Sequence, residues 1–283
     1  MAIRNIYDNT PLVNKMTQGS IINGCIAEDF PNEETYGFII TPRCDLGHEG
    51  KVKTVHYVPL VSFERWFEVI ARPVIKDLWK KDLQSRLNCM FKNAKMGEDV
   101  MGVGFSYDDL IKLCNEKVNK DNDKTTITNL LNEFFDKDPY DFDLFLLDAE
   151  GKPKNKHKMI EYLSRLEGNG IPAYYAIEGW DEYGTDKHLV LMLRDVRRMQ
   201  FSTAMNIKKG VYENALGFSD TLKNDLFLNN DSKHFFSVQA QINSPFVEHI
   251  MQAFVYNFSR IGVEDRPGDT IDKMFNAIKS TIK

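Results

Sequence analysis

The apolar residues of this chain change their spacing three times, and those changes limit the folds that the chain can adopt. Residues 17–62 hold short runs of β-branched and aromatic residues separated by turn-rich stretches, which is typical of strands. Residues 62–170 are more charged and place apolar residues at steps of three and four, which predicts helices. Residues 171–242 return to strand-like runs, and Ser244–Arg260 repeats aromatic and aliphatic residues at helical spacing.

The two strand-like regions are predicted to form one β body. A few short strands leave unpaired edges, and pairing the first region with the second closes them. One shared core also buries more apolar surface than two small sheets. We therefore predict an α+β protein with a split barrel-like core. Residues 1–61 and 171–243 form its two halves, residues 62–170 form an α-helical insertion, and residues 244–283 add C-terminal helices, the first of them largely buried.

The composition predicts a folded protein that does not coat duplex DNA. Apolar residues make up 42% of the chain, which is enough for a packed core. The formal net charge is −5, from 36 Lys and Arg against 41 Asp and Glu, whereas proteins that coat duplex DNA carry a basic excess. No apolar run is long enough to cross a bilayer, and the N-terminal residues lack the apolar core of a signal peptide. We expect a cytoplasmic protein with no membrane partner.

The most concentrated set of reactive side chains lies in Ile39–His48, where a strand gives way to a loop. Arg43 can hold a phosphate or carboxylate through its forked donors, and Asp45 and His48 can exchange protons. A nearby cation can turn Cys44 into a thiolate. The structural alternative is that Asp45 caps the turn, Arg43 is solvated and Cys44 is buried.

Metal and cofactor sites have little support. Cys44, Asp45 and His48 offer three ligands, yet the four cysteines include no CxxC pair and the six histidines show no paired metal-ligand spacing. The chain also lacks the P-loop motif GxxxxGK[ST]. We therefore predict neither a metal nor a cofactor.

A second feature is a local excess of cations in Lys187–Gly210. Asp195 is the one acid among five cations, which span 16 positions: Arg194, Arg197, Arg198, Lys208 and Lys209. In an acidic protein such a reversal indicates a binding patch for phosphate or for an acidic partner, or else a solvated face with its own ion pairs.

Aromatic residues lie just before that stretch, at Tyr174, Tyr175, Trp180 and Tyr183. Exposed aromatics beside cations form a stacking platform for single-stranded nucleic acid. The alternative is that these rings pack in the core.

Two parts of the chain resemble an uncharacterised group of bacterial proteins: the strands GSIING, YGFIITPRCDLGH and VHYVPLV, and the later segment SPFVEHIMQAFVYNFSRIGVED. In that group a strand ends in Cys-Asp-Leu or Cys-Asp-Ile, matched here by Cys44-Asp45-Leu46. A helix begins SPFxExxxQxF, matched by Ser244–Phe254. The group is associated with mobile elements and with conflict or anti-phage defence loci. The resemblance implies a role in such a system, beside a partner ATPase or nuclease encoded by a neighbouring gene.

The first half is more faintly similar to the PemK/MazF-type ribonuclease toxins, which are small SH3-like barrels. That similarity implies an SH3-like β-barrel core and metal-independent endoribonuclease activity. Gly19-Ser20-Ile21 stands where the toxins have Gly-Asp-Ile, and Arg43 follows its strand instead of preceding it. Pro59-Leu60-Val61 lacks the threonine of the toxin motif. The catalytic arginine and threonine of that family therefore have no assigned counterparts here.

Three functions follow from these observations. The first is a component of a bacterial conflict system that binds a nucleic acid (RNA or single-stranded), a nucleotide or a partner protein. Its surface joins Arg43, Cys44, Asp45 and His48 to the five cations of Arg194–Lys209. The second is a metal-independent endoribonuclease with Arg43, Asp45 and His48 as catalytic residues, because that chemistry needs a phosphate-holding cation and an acid–base pair. The third is a regulatory adaptor that acts only through protein partners docked on its helical insertion.

Overall fold

The computed structural model describes residues 6–8, 14–48, 50–135, 173–180, 184, 187–216, 224–228 and 233–259. Within them lie nine strands: β1 (Ser20–Cys25), β2 (Thr35–Ile39), β3 (Thr54–Ser62), β4 (Tyr174–Glu178), β5 (His188–Met192), β6 (Arg197–Gln200), β7 (Val211–Tyr212), β8 (Phe235–Phe236) and β9 (Val238–Gln241). The α-helices of the described residues are α1 (Arg43–Leu46), α2 (Phe63–Trp66), α3 (Arg72–Asn93), α4 (Tyr107–Lys117), α5 (Asp121–Phe134), α6 (Phe201–Lys209) and α7 (Phe246–Ser259).

The two predicted β regions join in one antiparallel sheet. Its strand order is β4-β5-β3-β2-β1-β9, with β6 also paired to β3, and the sheet curls into a half-barrel. β1 pairs with β9 through Ile21 and Ala240, and β3 pairs with β5 through Leu60 and Leu191. The predictions of an α+β protein and of one shared sheet are therefore confirmed. β7 and β8 form a separate two-stranded ribbon.

Apolar side chains cover both faces of this sheet. Successive residues of a strand point to opposite faces, and β3 follows this rule. On one face Val58 and Leu60 pack with Val247 and Ile250 of α7. On the other face Val55 and Tyr57 belong to the same core cluster as α6, and Val61 belongs to the core of the helical region. The sheet therefore lies between α7 on one side and the remaining helices on the other.

The helical region begins directly at the end of β3. The Ser62 hydroxyl accepts a hydrogen bond from the backbone N–H of Arg65 and caps α2. A π-helical turn over Phe67–Ala71 connects α2 to α3 without a break in the helix, and Pro73 lies two residues after that turn. Most of the apolar stripe expected from the spacing is buried, at Ile75, Trp79, Leu83, Leu87 and Phe91, whereas Leu78, also expected on the stripe, is 47% exposed.

The helix predicted over Ser244–Arg260 is observed as α7, over Phe246–Ser259. Val247 and Ile250 are buried against the sheet, whereas Val255 and Phe258 are exposed. Residues 260–283, which hold the second predicted C-terminal helix, lie outside the described residues. Among the helices that the structure describes, none combines the length and the apolar character that a membrane span requires.

Candidate functional site

The Arg43–His48 corner lies where β2 leaves the sheet. The sequence predicts a strand as far as Cys44, but β2 ends at Ile39 and a single helical turn, α1, begins after Pro42. Proline has no N–H to donate to a neighbouring strand, which explains this early end. Leu46 is buried in the core cluster that includes α6, and it fixes the turn in place. The side chains of Arg43, Cys44 and His48 remain exposed.

Asp45 interacts with two neighbours at this corner. One of its carboxylate oxygens, Oδ1, lies 2.5 Å from Nζ of Lys51 and 3.3 Å from Sγ of Cys44. These hydrogen bonds, first from Lys51 and then from Cys44, hold the pKa of Asp45 below its usual value. The carboxylate therefore stays ionised and is a weak base. Cys44 is exposed, contrary to the structural alternative, and the buried thiols are Cys25 and Cys114.

The corner is tied to β3, and β3 places it beside β6. The Thr41 hydroxyl accepts a 2.7 Å hydrogen bond from the backbone N–H of His56. His56 lies directly opposite Arg198 in the β3–β6 register, and both residues are exposed. Directly opposed residues of an antiparallel pair project from the same face with Cβ atoms about 5 Å apart. Arg43 and Arg198 are therefore held at the same end of the sheet.

Four basic residues mark this end, and we call them the cationic edge: Arg43, Lys53, His56 and Arg198. All four are exposed. Lys53 lies next to the start of β3, and its carbonyl accepts a hydrogen bond from the N–H of Phe201 at the end of β6. No ion pair in the described part of the chain involves any of the four. The cationic edge is thus a set of charges that an external anion can reach.

Arg197, the neighbour of Arg198, has a different environment. Its Nε donates to Asp195, and its Nη2 lies 3.1 Å from a carboxylate oxygen of Glu28. The other Asp195 oxygen accepts a 2.7 Å hydrogen bond from the backbone N–H of Glu28. Burial is the largest influence and lowers the pKa of Arg197, but the hydrogen bond to Asp195 together with the charges of Asp195 and Glu28 outweighs it, so the pKa is raised. Arg197 therefore binds β6 to the β1–β2 connection and is not available to a ligand.

The remaining predicted cations lie elsewhere. Arg194 lines a cleft of about 260 Å³ together with three acids, Glu28, Asp29 and Asp195, so this cleft does not favour an anion. Lys208 and Lys209 occupy the last turn of α6, where the helix dipole favours positive charge. At 1.5 Å per residue they lie about 12 Å along the helix from Phe201. The structure thus groups Arg43, Cys44, Asp45 and Arg198, and places Arg194, Arg197 and the two lysines apart from them.

The predicted aromatic platform consists largely of packed rings. Trp180 is buried and packs edge-on against Tyr36, with ring centroids 5.1 Å apart. Tyr174 packs against the buried Trp66 at 5.4 Å. The Tyr175 hydroxyl lies 2.9 Å from Nδ1 of His249 on α7. Tyr183 lies outside the described residues.

One polar cluster gives no signal in the sequence, because its members are up to 200 positions apart. His234 lies between two glutamates: Nδ1 is 3.0 Å from Glu213 and Nε2 is 3.1 Å from Glu34. The side chain of Glu213 is only 5% exposed. Glu34 also accepts a hydrogen bond from the backbone N–H of Gly24 on β1. The cluster joins the β1–β2 connection to the β7–β8 ribbon.

No metal centre is formed by the residues that the structure describes, since no group of three or more His, Cys, Asp or Glu side chains there is arranged to hold an ion. Comparisons with known proteins add no family: no protein-family model, curated protein or solved structure matches the chain significantly. The function proposed below therefore depends on the geometry of the cationic edge.

Proposed function

We propose that this protein binds single-stranded nucleic acid, RNA foremost, at the cationic edge. The observation that supports this is the arrangement of Arg43, Lys53, His56 and Arg198 at one end of the sheet, exposed and without ion pairs among the described residues. Phosphate contacts by basic side chains supply most of the affinity of sequence-independent nucleic-acid binding. Arginine forks are suited to phosphate oxygens, and a lysine adds a point charge.

The charge distribution favours a local contact over a wrapped duplex. The whole chain carries −5, so a long polyanion is repelled away from the basic end of the sheet. The Arg194 cleft contains three carboxylates and repels a nucleic-acid strand that extends in that direction. A short single-stranded segment that follows the edge from Arg43 to Arg198 avoids both penalties.

The state of Asp45 supports binding in preference to cleavage. Cleavage of RNA without a metal requires a base that takes the proton of the 2′-hydroxyl. Asp45 is held ionised by Lys51 with a lowered pKa, which makes it a poor base. We therefore propose Arg43 as a phosphate ligand, and we assign no catalytic step to Asp45 and His48.

The biological setting of the proposal comes from the sequence resemblance. The segments around Cys44-Asp45 and Ser244–Phe254 resemble bacterial conflict-associated proteins, and we propose that the binding activity serves such a system. In that setting an ATPase or nuclease from a neighbouring gene is the expected partner. We interpret the curled half-barrel, in the same way, as a barrel of the SH3-like kind.

The experiment is a titration of labelled single-stranded RNA of about 16 nucleotides, followed by fluorescence anisotropy at several salt concentrations. The double variant Arg43→Ala/Arg198→Ala is expected to lose about tenfold or more in affinity and to lower the salt slope by about 1.4, because two phosphate contacts to a single strand are removed. The matched control is Arg86→Ala, which removes an exposed arginine without a described ion pair from α3.

An affinity that does not change with salt, or one that Arg86→Ala and the double variant reduce equally, would contradict the proposal. The same mixtures, run on a denaturing gel, test cleavage directly. RNA products that disappear in His48→Ala would restore the endoribonuclease hypothesis.

A further inference from the structure

A second group of basic residues surrounds a cleft in the helical region, well separated in the chain from the cationic edge. The cleft measures about 510 Å³ and lies between the end of α3, the α4–α5 connection and the beginning of α5. Three lysines line it: Lys95, Lys117 and Lys120. All three are exposed, and none forms an ion pair in the described part of the chain. Asp123 contributes one carboxylate to the lining, which leaves a positive balance.

The backbone at Lys95 has a conformation that a residue with a side chain rarely adopts. Lys95 follows α3 with a φ of 60°, in the left-handed region that favours glycine at the end of a helix. The turn is closed by hydrogen bonds from Lys95 N–H to the Lys92 carbonyl and from Met96 N–H to the Phe91 carbonyl, both 2.9 Å. Any residue with a side chain is less stable here than glycine. The side chain of Lys95 supplies an ammonium group to the cleft.

The opposite wall provides backbone donors. α5 begins directly after Lys120, which makes no side-chain cap, so the first-turn N–H groups have no cap from that residue. The same wall includes Asn119, whose amide can donate to an oxygen. The three lysine ammonium groups, which stand on both sides of the cleft, are favourable to phosphate oxygens and outnumber the two aspartates in the first turn of α5, Asp121 and Asp123.

The floor of the cleft is apolar, which distinguishes it from a simple patch of surface lysines. Met90, Val118 and Ile127 line it, and the latter two are buried. A concave site of several hundred Å³ with an apolar base and a few convergent polar groups is typical of a small-molecule site. Its volume suits a molecule the size of a nucleotide.

We infer that this cleft binds a small organic polyphosphate, of the class of nucleoside diphosphates, with the phosphates between Lys95, Lys117 and Lys120 and the remainder of the ligand on the apolar floor. The inference is independent of the proposed nucleic-acid binding, because it uses none of the residues of the cationic edge. It adds a small-molecule ligand to the helical region.

Isothermal titration calorimetry of the full chain with ADP and, separately, with pyrophosphate tests the inference. Both probes are expected to bind, and Lys117→Gln is expected to weaken each Kd at least about tenfold, through loss of a charge-assisted contact. Lys81→Gln is the matched control, an exposed α3 lysine outside the cleft without a described ion pair, and is expected to leave Kd unchanged. Binding of ADP without pyrophosphate would still support the site and assign more of the affinity to the apolar floor.

A second variant separates ligand binding from folding. Lys95→Gly suits the left-handed backbone, so its melting temperature should not fall, while its affinity for both probes should fall as for Lys117→Gln. The inference is overturned if neither probe binds at millimolar concentration, or if Lys95→Gly and Lys117→Gln bind as the wild type does. It is also overturned if Arg43→Ala/Arg198→Ala lowers the ADP affinity, because the ligand would then occupy the cationic edge.

Discussion

Arg197 and Arg198 are adjacent in the chain, yet they belong to two different regions of the molecule. Arg197 is partly buried and bound to Asp195 and Glu28. Arg198 is exposed, lies opposite His56 and has no ion pair in the described residues. The difference follows from strand geometry, because successive side chains of β6 point to opposite faces of the sheet. A run of cations in a strand is therefore divided into two sets with separate tasks.

Two successive residues of β6 thus have different roles: Arg197 stabilises the fold, and Arg198 is available to bind a ligand. On the Arg197 side the guanidinium binds β6 to the loop that contains Glu28, and its charge is paired with the carboxylates of Asp195 and Glu28. The Arg198 side leaves its charges available to solvent and to anions. Substitutions on the Arg197 side should therefore change stability, and substitutions on the Arg198 side should change binding.

Asp195→Ala should have the largest effect, on stability. The side chain of Asp195 is 11% exposed, and it accepts hydrogen bonds from both Arg197 and the Glu28 backbone. Its removal leaves a half-buried guanidinium without its main partner, and we expect a loss of about 2–3 kcal/mol in the free energy of unfolding. Urea denaturation measures this. Asp29→Ala, an exposed acid of the same cleft, should change stability by less than about 0.5 kcal/mol.

The two arginines should then give opposite results. Arg198→Ala should weaken binding of single-stranded RNA roughly fivefold and lower the salt slope by about 0.7, with stability unchanged. Arg197→Ala should lower the free energy of unfolding by about 1–2 kcal/mol and leave RNA affinity as it is. Anisotropy titrations give the RNA affinity of each variant, and urea denaturation gives its free energy of unfolding. Equal effects of the two variants on RNA affinity would remove the distinction between the faces.

The smallest effect concerns Asp45 and Lys51, the ion pair beside the cationic edge. Lys51 lowers the pKa of Asp45 in the folded protein, so this pair stabilises the fold above the unfolded pKa of about 4 and loses its effect as pH falls through the lower folded value. Lys51→Gln should therefore be slightly less stable than the wild type at about pH 7, and the difference in stability should narrow on acidification to about pH 3.

Urea midpoints at both pH values measure that gap. Lys53→Gln, which removes a lysine without a described carboxylate partner, should show no gap at either pH. A gap that widens in acid would show that Lys51 acts on the fold in some other way.

Local patterns in the sequence predicted most strands and helices. Ion pairs between residues that are far apart in the chain could not be predicted. Alternation and apolar runs identified β1, β3 and β5, and four-residue steps identified the buried stripe from Ile75 to Phe91. The early end of β2 had a local signal in Pro42, which cannot continue the strand ladder. The division of the 194–209 cations had only a partial signal, since strand parity separates Arg197 from Arg198 but the partner Glu28 is 169 residues away from Arg197.

The pairing of early and late strands has a consequence for synthesis of the chain. The edges of β3 and β1 are completed by β5, β6 and β9, and residues 63–173, 111 in number, are translated between β3 and β4. At about 5–20 residues per second the ribosome needs roughly 6–22 s for that stretch. Throughout this interval the nascent chain presents two apolar strands with open hydrogen-bonding edges, the form in which unfinished proteins associate with each other. Expression yield should therefore depend on how quickly translation passes residues 63–173 as well as on the stability of the finished sheet.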